Sequence, residues 1–235
     1  MNESRHPTKL TPAQAANGTG EERLSTAHVK AASLQRRRQG RLLIARAAKK
    51  QAFADLMPAT GLQPGDSLHL ISRGHFDTAT IPEWFAINVE RIERLTISSL
   101  TISKQAVEVM ERLDQAGKIG QARIMVQDLT MRRSDNRANV EAIRRWMLNP
   151  VHTLKVAESH AKVIVMEFAT QPTVVIESSA NLSSNDSRLE QYAIHVDTEL
   201  AAFHLSWMEE VFGYNKQALP RNWFPSPLAT RTAKD

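Results

Sequence analysis

One residue separates His160 from Lys162, four more separate Lys162 from Glu167, and Ser179 and Asn181 repeat the one-residue spacing after an apolar run. The text reads HAKVIVME and then VVIESSAN. Residues two apart on an extended chain point to the same side. His160 and Lys162 at the entrance of one strand therefore project together, and Ser179 and Asn181 do so at the end of the neighbouring strand. An imidazole, an ammonium, a hydroxyl and an amide are rich in hydrogen-bond donors. A tetrahedral anion such as a phosphate can use that many donors at one point.

The elements that must position these groups can be read from apolar periodicity. Strands are expected over 67–72, 94–102 and 122–127, where alternation or β-branched residues dominate. Helices are expected over 81–89, with a proline at its start, over 104–116, closed by Gly117, and over 136–147, stopped by Asn149-Pro150. Strands at 153–156, 162–168, 173–177 and 192–196 follow in quick succession. A last helix, 199–212, carries Leu200, Phe203, Trp207 and Val211 on one stripe. Strands alternating with helices of this length imply an α/β sandwich around a mixed sheet. Trp84, Trp146 and Trp207 fall on helical stripes and read as core. His152, His195 and His204 read as structural or surface residues.

The pattern His-x-Lys, four residues, an acid, and then Ser-x-Asn after the next strand resembles the phospholipase D superfamily. The order of elements from about residue 67 to 212 is similar to one half-domain of that family. The resemblance implies that His160 attacks phosphorus and forms a phosphohistidine, while Lys162 and Asn181 hold the non-bridging oxygens with Ser179 in support. It also implies that Glu190, nine residues after Asn181, orients the nucleophilic histidine. Two departures stand out. Glu167 replaces the family's usual Asp at a position that tends to be structural. Ser178 replaces its usual Gly, which strains the chain if a positive φ is required there. The family chemistry needs a second histidine, and this chain carries one motif. A homodimer with His160 of a second copy across a two-fold axis is therefore expected. Neither a cofactor nor a metal is implied. The text around 177–191 is also similar to phospholipase D-like proteins of bacteria and phages, which implies a mobile-element or prophage context.

Charge is segregated. Residues 1–52 hold 11 Lys and Arg against 3 acidic residues, whereas the rest of the chain is slightly acidic. Four segments are expected: a flexible tail over 1–25, a basic helical arm over 26–60, the phospholipase D-like domain over 61–213 and an irregular tail over 214–235. Two readings of the arm stand. It is a solvated helix packing on the domain or on a partner chain, or it binds nucleic acid through Arg36, Arg37, Arg38 and Arg41. Arg132, Arg133 and Arg137 form either a phosphate-binding rim or a solvated loop. His75 is either a substrate contact or simply exposed.

With 42% hydrophobic residues the chain can build an ordinary core. It contains no cysteine, which excludes disulfides, thiolate nucleophiles and cysteine zinc sites. The absence of a long apolar segment or secretory leader gives the expectation of a cytoplasmic protein without membrane insertion. Three functions compete: a metal-independent nuclease or DNA-processing phosphodiesterase, a phospholipase, and a non-catalytic nucleic-acid-binding or assembly module that keeps the fold. The basic arm favours the first. The lipid reading calls for an apolar interfacial loop or a leader, and neither is evident.

Overall fold

The computed structural model describes residues 46–127, 131, 137–183 and 188–213. The tails over 1–25 and 214–235, most of the arm, and Arg36, Arg37, Arg38, Arg41, Arg132 and Arg133 lie outside the described residues. The chain divides after Ala47, and the whole sheet belongs to the unit that begins at Ala48.

Each of the seven segments expected as strands overlaps a strand of one seven-stranded mixed sheet. In chain order the elements are β1 (Ser67–Ser72), α1 (Thr80–Asn88), β2 (Ile92–Ser99), α2 (Lys104–Gln115), β3 (Ile119–Gln127), α3 (Arg137–Trp146), β4 (Thr153–Ala157), β5 (Val163–Phe168), β6 (Val174–Ser178), β7 (Glu190–His195) and α4 (Thr198–Gly213). Across the sheet the order is β1-β7-β6-β5-β2-β3-β4. The β2, β3 and β4 strands run parallel, as helical crossovers require, while β5 is antiparallel to both β2 and β6. This is the α/β architecture expected from the sequence.

Layering follows from the pleat. In β5, Ile164 and Met166 join the core that also holds Ile97, Ile124 and Ile176, together with residues of α1, α2 and α3. Val163 and Val165 face the opposite side, where Ala201, Trp207, Met208 and Val211 of α4 cover them. A strand buried on both faces reads as a continuous apolar run, which is why VIVMEF shows no alternation. Each such side chain contributes on the order of 1.5–3 kcal/mol on burial. The α2 helix starts at Ser103, whose hydroxyl accepts from Ala106 N–H, and it ends with Gly117 at φ +69°. There Gly117 N–H reaches Asp114 O and Lys118 N–H reaches Leu113 O, a paired closure that suits a residue without Cβ.

One boundary differs from the sequence expectation in a way that matters. The β7 strand begins at Glu190 rather than two residues later, because the edge strand β1 extends to Ser72 and offers Glu190 a ladder partner. A polar residue at a strand entrance gives no alternation signal. Near the end of the arm expected over 26–60, the chain packs on the domain, as one of its two readings allows. Phe53 is fully buried, edge-on to Phe76 at 5.2 Å and to Trp84 at 6.0 Å. The aromatic faces of the first helix and its preceding loop need a cover, and Phe53 supplies it.

Candidate active site

One end of the sheet gathers the C-terminal ends of β1, β2 and β6 and the N-terminal ends of β5 and β7. This follows from the antiparallel registers Ser72↔Glu190, Ser178↔Tyr192, Val163↔Glu177 and Ser98↔Val163. All five residues singled out from the motif lie at that end. His160 and Lys162 sit just before β5, outside the strand that was expected to contain Lys162. Their segment is held by Ser178 N–H donating to Lys162 O at 3.0 Å, the last backbone bond between β5 and β6. Lys162 Nζ turns back to donate to His160 O at 3.1 Å. His160 is exposed, and its ring has no hydrogen-bond partner among the described residues.

Ser179 and Asn181 follow β6. Ser179 N–H donates to Gln191 O at 3.0 Å, so the β6–β7 pairing runs one residue past the strand's end. Ser179 Oγ donates to Glu190 Oε2 at 2.5 Å and accepts from Gln191 N–H at 2.9 Å. Glu190 is buried at the start of β7, on the face shared with Tyr192 and Ile194. The expected direct contact between Glu190 and the His160 ring is absent among the described residues. The near hydroxyl of Ser179 takes one carboxylate oxygen instead, because the register sets it beside Glu190.

Asn181 is pinned through the backbone on both sides. Its carbonyl accepts from Thr78 Oγ1 at 2.8 Å. The next residue, Leu182, donates its N–H to Ser99 Oγ at 3.0 Å and accepts from Ser103 N–H at 2.9 Å. The Asn181 side-chain Oδ1 is buried and has no partner among the described residues. An unsatisfied amide oxygen is costly unless a ligand or a turned amide supplies a partner. An ammonium, an amide, an exposed imidazole and a hydroxyl–carboxylate pair thus share this end of the sheet, and the first three can donate to an oxyanion.

The departures at Glu167 and Ser178 both have structural explanations. Glu167 lies on β5 opposite Arg94 of β2 and takes both Arg94 Nε and Nη2, the latter at 2.7 Å. That hydrogen bond raises the Arg94 pKa further. Ser178 needs no left-handed backbone, since no described residue other than glycine has a positive φ. Its hydroxyl donates to Ala180 O at 2.8 Å and helps turn the chain toward Asn181. The strain considered at this position does not arise.

Among the remaining candidates, His75 is exposed in the loop that leaves β1 at the same end of the sheet. Arg137 is exposed and pairs with Glu141 one helical turn on, as a solvated residue does. His152 and His204 are buried and hydrogen-bonded, in keeping with a structural role. Among the described residues no group of three or more His, Cys, Asp or Glu side chains could hold a metal ion, and no helix is long and apolar enough to cross a membrane. Sequence reasoning missed Thr78, Ser98 and Ser159, which hold the loops of this site. The only available signal was a pair of serines, Ser98-Ser99, ending a β-branched strand.

No family model matches the chain, and no curated protein matches it in sequence. Solved structures do match. Phosphatidylserine synthase from Haemophilus influenzae Rd KW20 superposes with a TM-score of 0.50 at 15% identity, over 71% of this chain and 41% of that one. Polyphosphate kinase from Porphyromonas gingivalis gives 0.49 at 12% identity, over 68% of this chain and 27% of that one. NucT from Helicobacter pylori gives 0.43 at 15% identity, over 62% of this chain and 96% of that one. The chain therefore spans less than half the length of the first two. At these identities the likeness is one of fold.

Proposed function

We propose, on the premise that this chain has a phospholipase D-like fold, that it hydrolyses phosphodiesters through a phosphohistidine, acts on nucleic acid, and does so as a homodimer. The observation that carries the reading is the meeting of His160, Lys162, Ser179, Asn181 and Glu190 at one end of the sheet, although up to 30 residues separate them in sequence. In the first step a ring nitrogen of His160 bonds to phosphorus as the bond to the leaving oxygen breaks. His160 of a second copy protonates that oxygen. In the second step the same imidazole takes a proton from water, which attacks phosphorus and releases His160. Lys162 and Asn181 offset charge on the non-bridging oxygens. The Ser179–Glu190 pair stands behind them.

The nucleic-acid part of the proposal draws on the basic N-terminal segment, which would add a salt-dependent attraction to phosphates. Arg36, Arg37, Arg38, Arg41, Arg132 and Arg133 are the proposed contacts. The domain proper is proposed to run to residue 213, with the tails over 1–25 and 214–235 outside it.

The test is cleavage of single- and double-stranded DNA and RNA in EDTA by the wild type beside His160→Ala. Cleavage by the wild type alone supports the reading, and sedimentation of the active species then checks the dimer. Binding without cleavage would instead favour a non-catalytic nucleic-acid or assembly module. Hydrolysis of phosphatidylcholine vesicles with no nucleic-acid cleavage would move the substrate to lipid.

A further inference from the structure

We infer that Ser98 and Ser159 form a latch that aims His160, which makes them positioning residues for the chemistry; the inference rests on the reading of His160 as the nucleophile. Ser98 is a 1% exposed residue near the end of β2. Its Oγ donates to Ala161 O at 3.0 Å and lies 3.3 Å from Ser159 Oγ. Ser159 Oγ in turn accepts from Ala161 N–H at 3.2 Å.

Proton counting gives these contacts a direction. A serine hydroxyl has one proton. Ser98 spends its proton on Ala161 O, in preference to the longer 3.8 Å approach to Met125 Sδ. The Ser98–Ser159 contact must then run from Ser159 to Ser98. A closed chain results: Ala161 N–H to Ser159, Ser159 to Ser98, and Ser98 back to Ala161 C=O. Hydrogen bonds in such a chain polarise one another.

The chain starts and ends on the residue between His160 and Lys162. It clamps the peptide plane that joins His160 to Ala161 and the plane that joins Ala161 to Lys162. The strand ladder cannot do this. Residues 158–162 precede β5, and the β2–β5 register stops at Ser98↔Val163. Without the latch, the described tie between this segment and its neighbouring strands would be the bond from Ser178 N–H to Lys162 O, since Ser159 N–H to Ala157 O and Lys162 Nζ to His160 O are local to the segment. With it, both motif side chains leave a backbone tied to the sheet's centre. A nucleophile must meet phosphorus within a few tenths of an ångström and in line, and displacement by about 1 Å can cost about 100-fold in rate.

The experiment compares wild type, Ser98→Ala, Ser98→Thr, Ser159→Ala and His160→Ala by two readouts. The first is amide exchange at Ala161, which reports the latch without any substrate. The second is kcat and KM for cleavage in EDTA at a temperature well below each variant's melting point. The expected result is loss of Ala161 protection in both alanine variants, a fall in kcat of about 10- to 100-fold with KM within about twofold, and substantial recovery in Ser98→Thr. Should Ser98→Ala fail to fold, the less buried Ser159→Ala carries the same test. Unchanged Ala161 exchange overturns the latch, and so does lost protection with wild-type kcat. Equal cleavage by wild type and His160→Ala sinks the phosphohistidine reading instead, while the exchange data still decide whether the latch exists.

Discussion

Ser179 Oγ donates to Glu190 Oε2 at 2.5 Å while it accepts the Gln191 N–H at 2.9 Å, so its one proton is committed to the carboxylate. Ser179 Oγ therefore has no further proton to donate, and its side chain is tied to Glu190. Hydrogen bonds to charged groups are worth about 1.5–3 kcal/mol. Ser179→Ala and Glu190→Gln are each expected to lower kcat/KM by about 10- to 100-fold. The double variant should lose clearly less than the product of the two, because the pair acts as a unit. A double-mutant cycle on cleavage rate checks this, and strict multiplicativity would separate the two roles.

The Arg94–Glu167 pair ties β2 to β5 away from the motif side chains. Glu167→Ala is expected to cost about 1 kcal/mol of stability, since the pair is partly exposed and its strength screened by solvent. Turnover by the folded variant should stay near wild type. Urea unfolding read beside kcat tests both halves, and a collapse of kcat at unchanged stability would make Glu167 part of the chemistry.

His204 gives the fold a pH response. Its Nδ1 accepts from Trp207 Nε1 at 3.1 Å, which fixes the neutral tautomer with the proton on Nε2, facing Glu177 Oε1 at 3.2 Å. Burial pushes its pKa below the ordinary histidine value, against the pull of Glu177 and with a smaller push from His195. The unfolded chain then binds the proton more readily than the fold does. The associated stability is present above about pH 6.5 and is lost as pH falls from there through the lowered value. His204→Gln is expected to flatten the stability profile in that window, measured as unfolding midpoint against pH. An unaltered slope would assign the acid response elsewhere.

Phe53 sets where the chain can be cut. With Phe53 fully buried against Phe76 and Trp84, Phe53→Ala should cost about 3–5 kcal/mol. Removing residues 1–47 should leave the sheet-bearing unit folded, whereas removing 1–60 should not. Circular dichroism melts of the two truncations test this. The folded variant lacking 1–47 should also bind nucleic acid with a shallower salt dependence if the basic segment contacts phosphates.

Much of this was legible in the residues alone. Alternation and β-branching marked each strand, and the turn at Gly117 and the stop at Asn149-Pro150 marked helix ends. These signals act over a few residues and survive any tertiary context. The motif's spacing marked His160, Lys162, Ser179 and Asn181 as candidates, and all four lie just outside β5 and β6. Tertiary structure alone decided which strands became neighbours. That order brought Ser72 opposite Glu190, set Ser179 rather than His160 on the Glu190 carboxylate, and carried Ser98 from 63 residues away to the Ala161 carbonyl just after His160. Hydrogen-bond partners of this kind leave no period in the sequence. A serine on the neighbouring strand has the same local signature as a serine in water, and only the register of the sheet tells them apart.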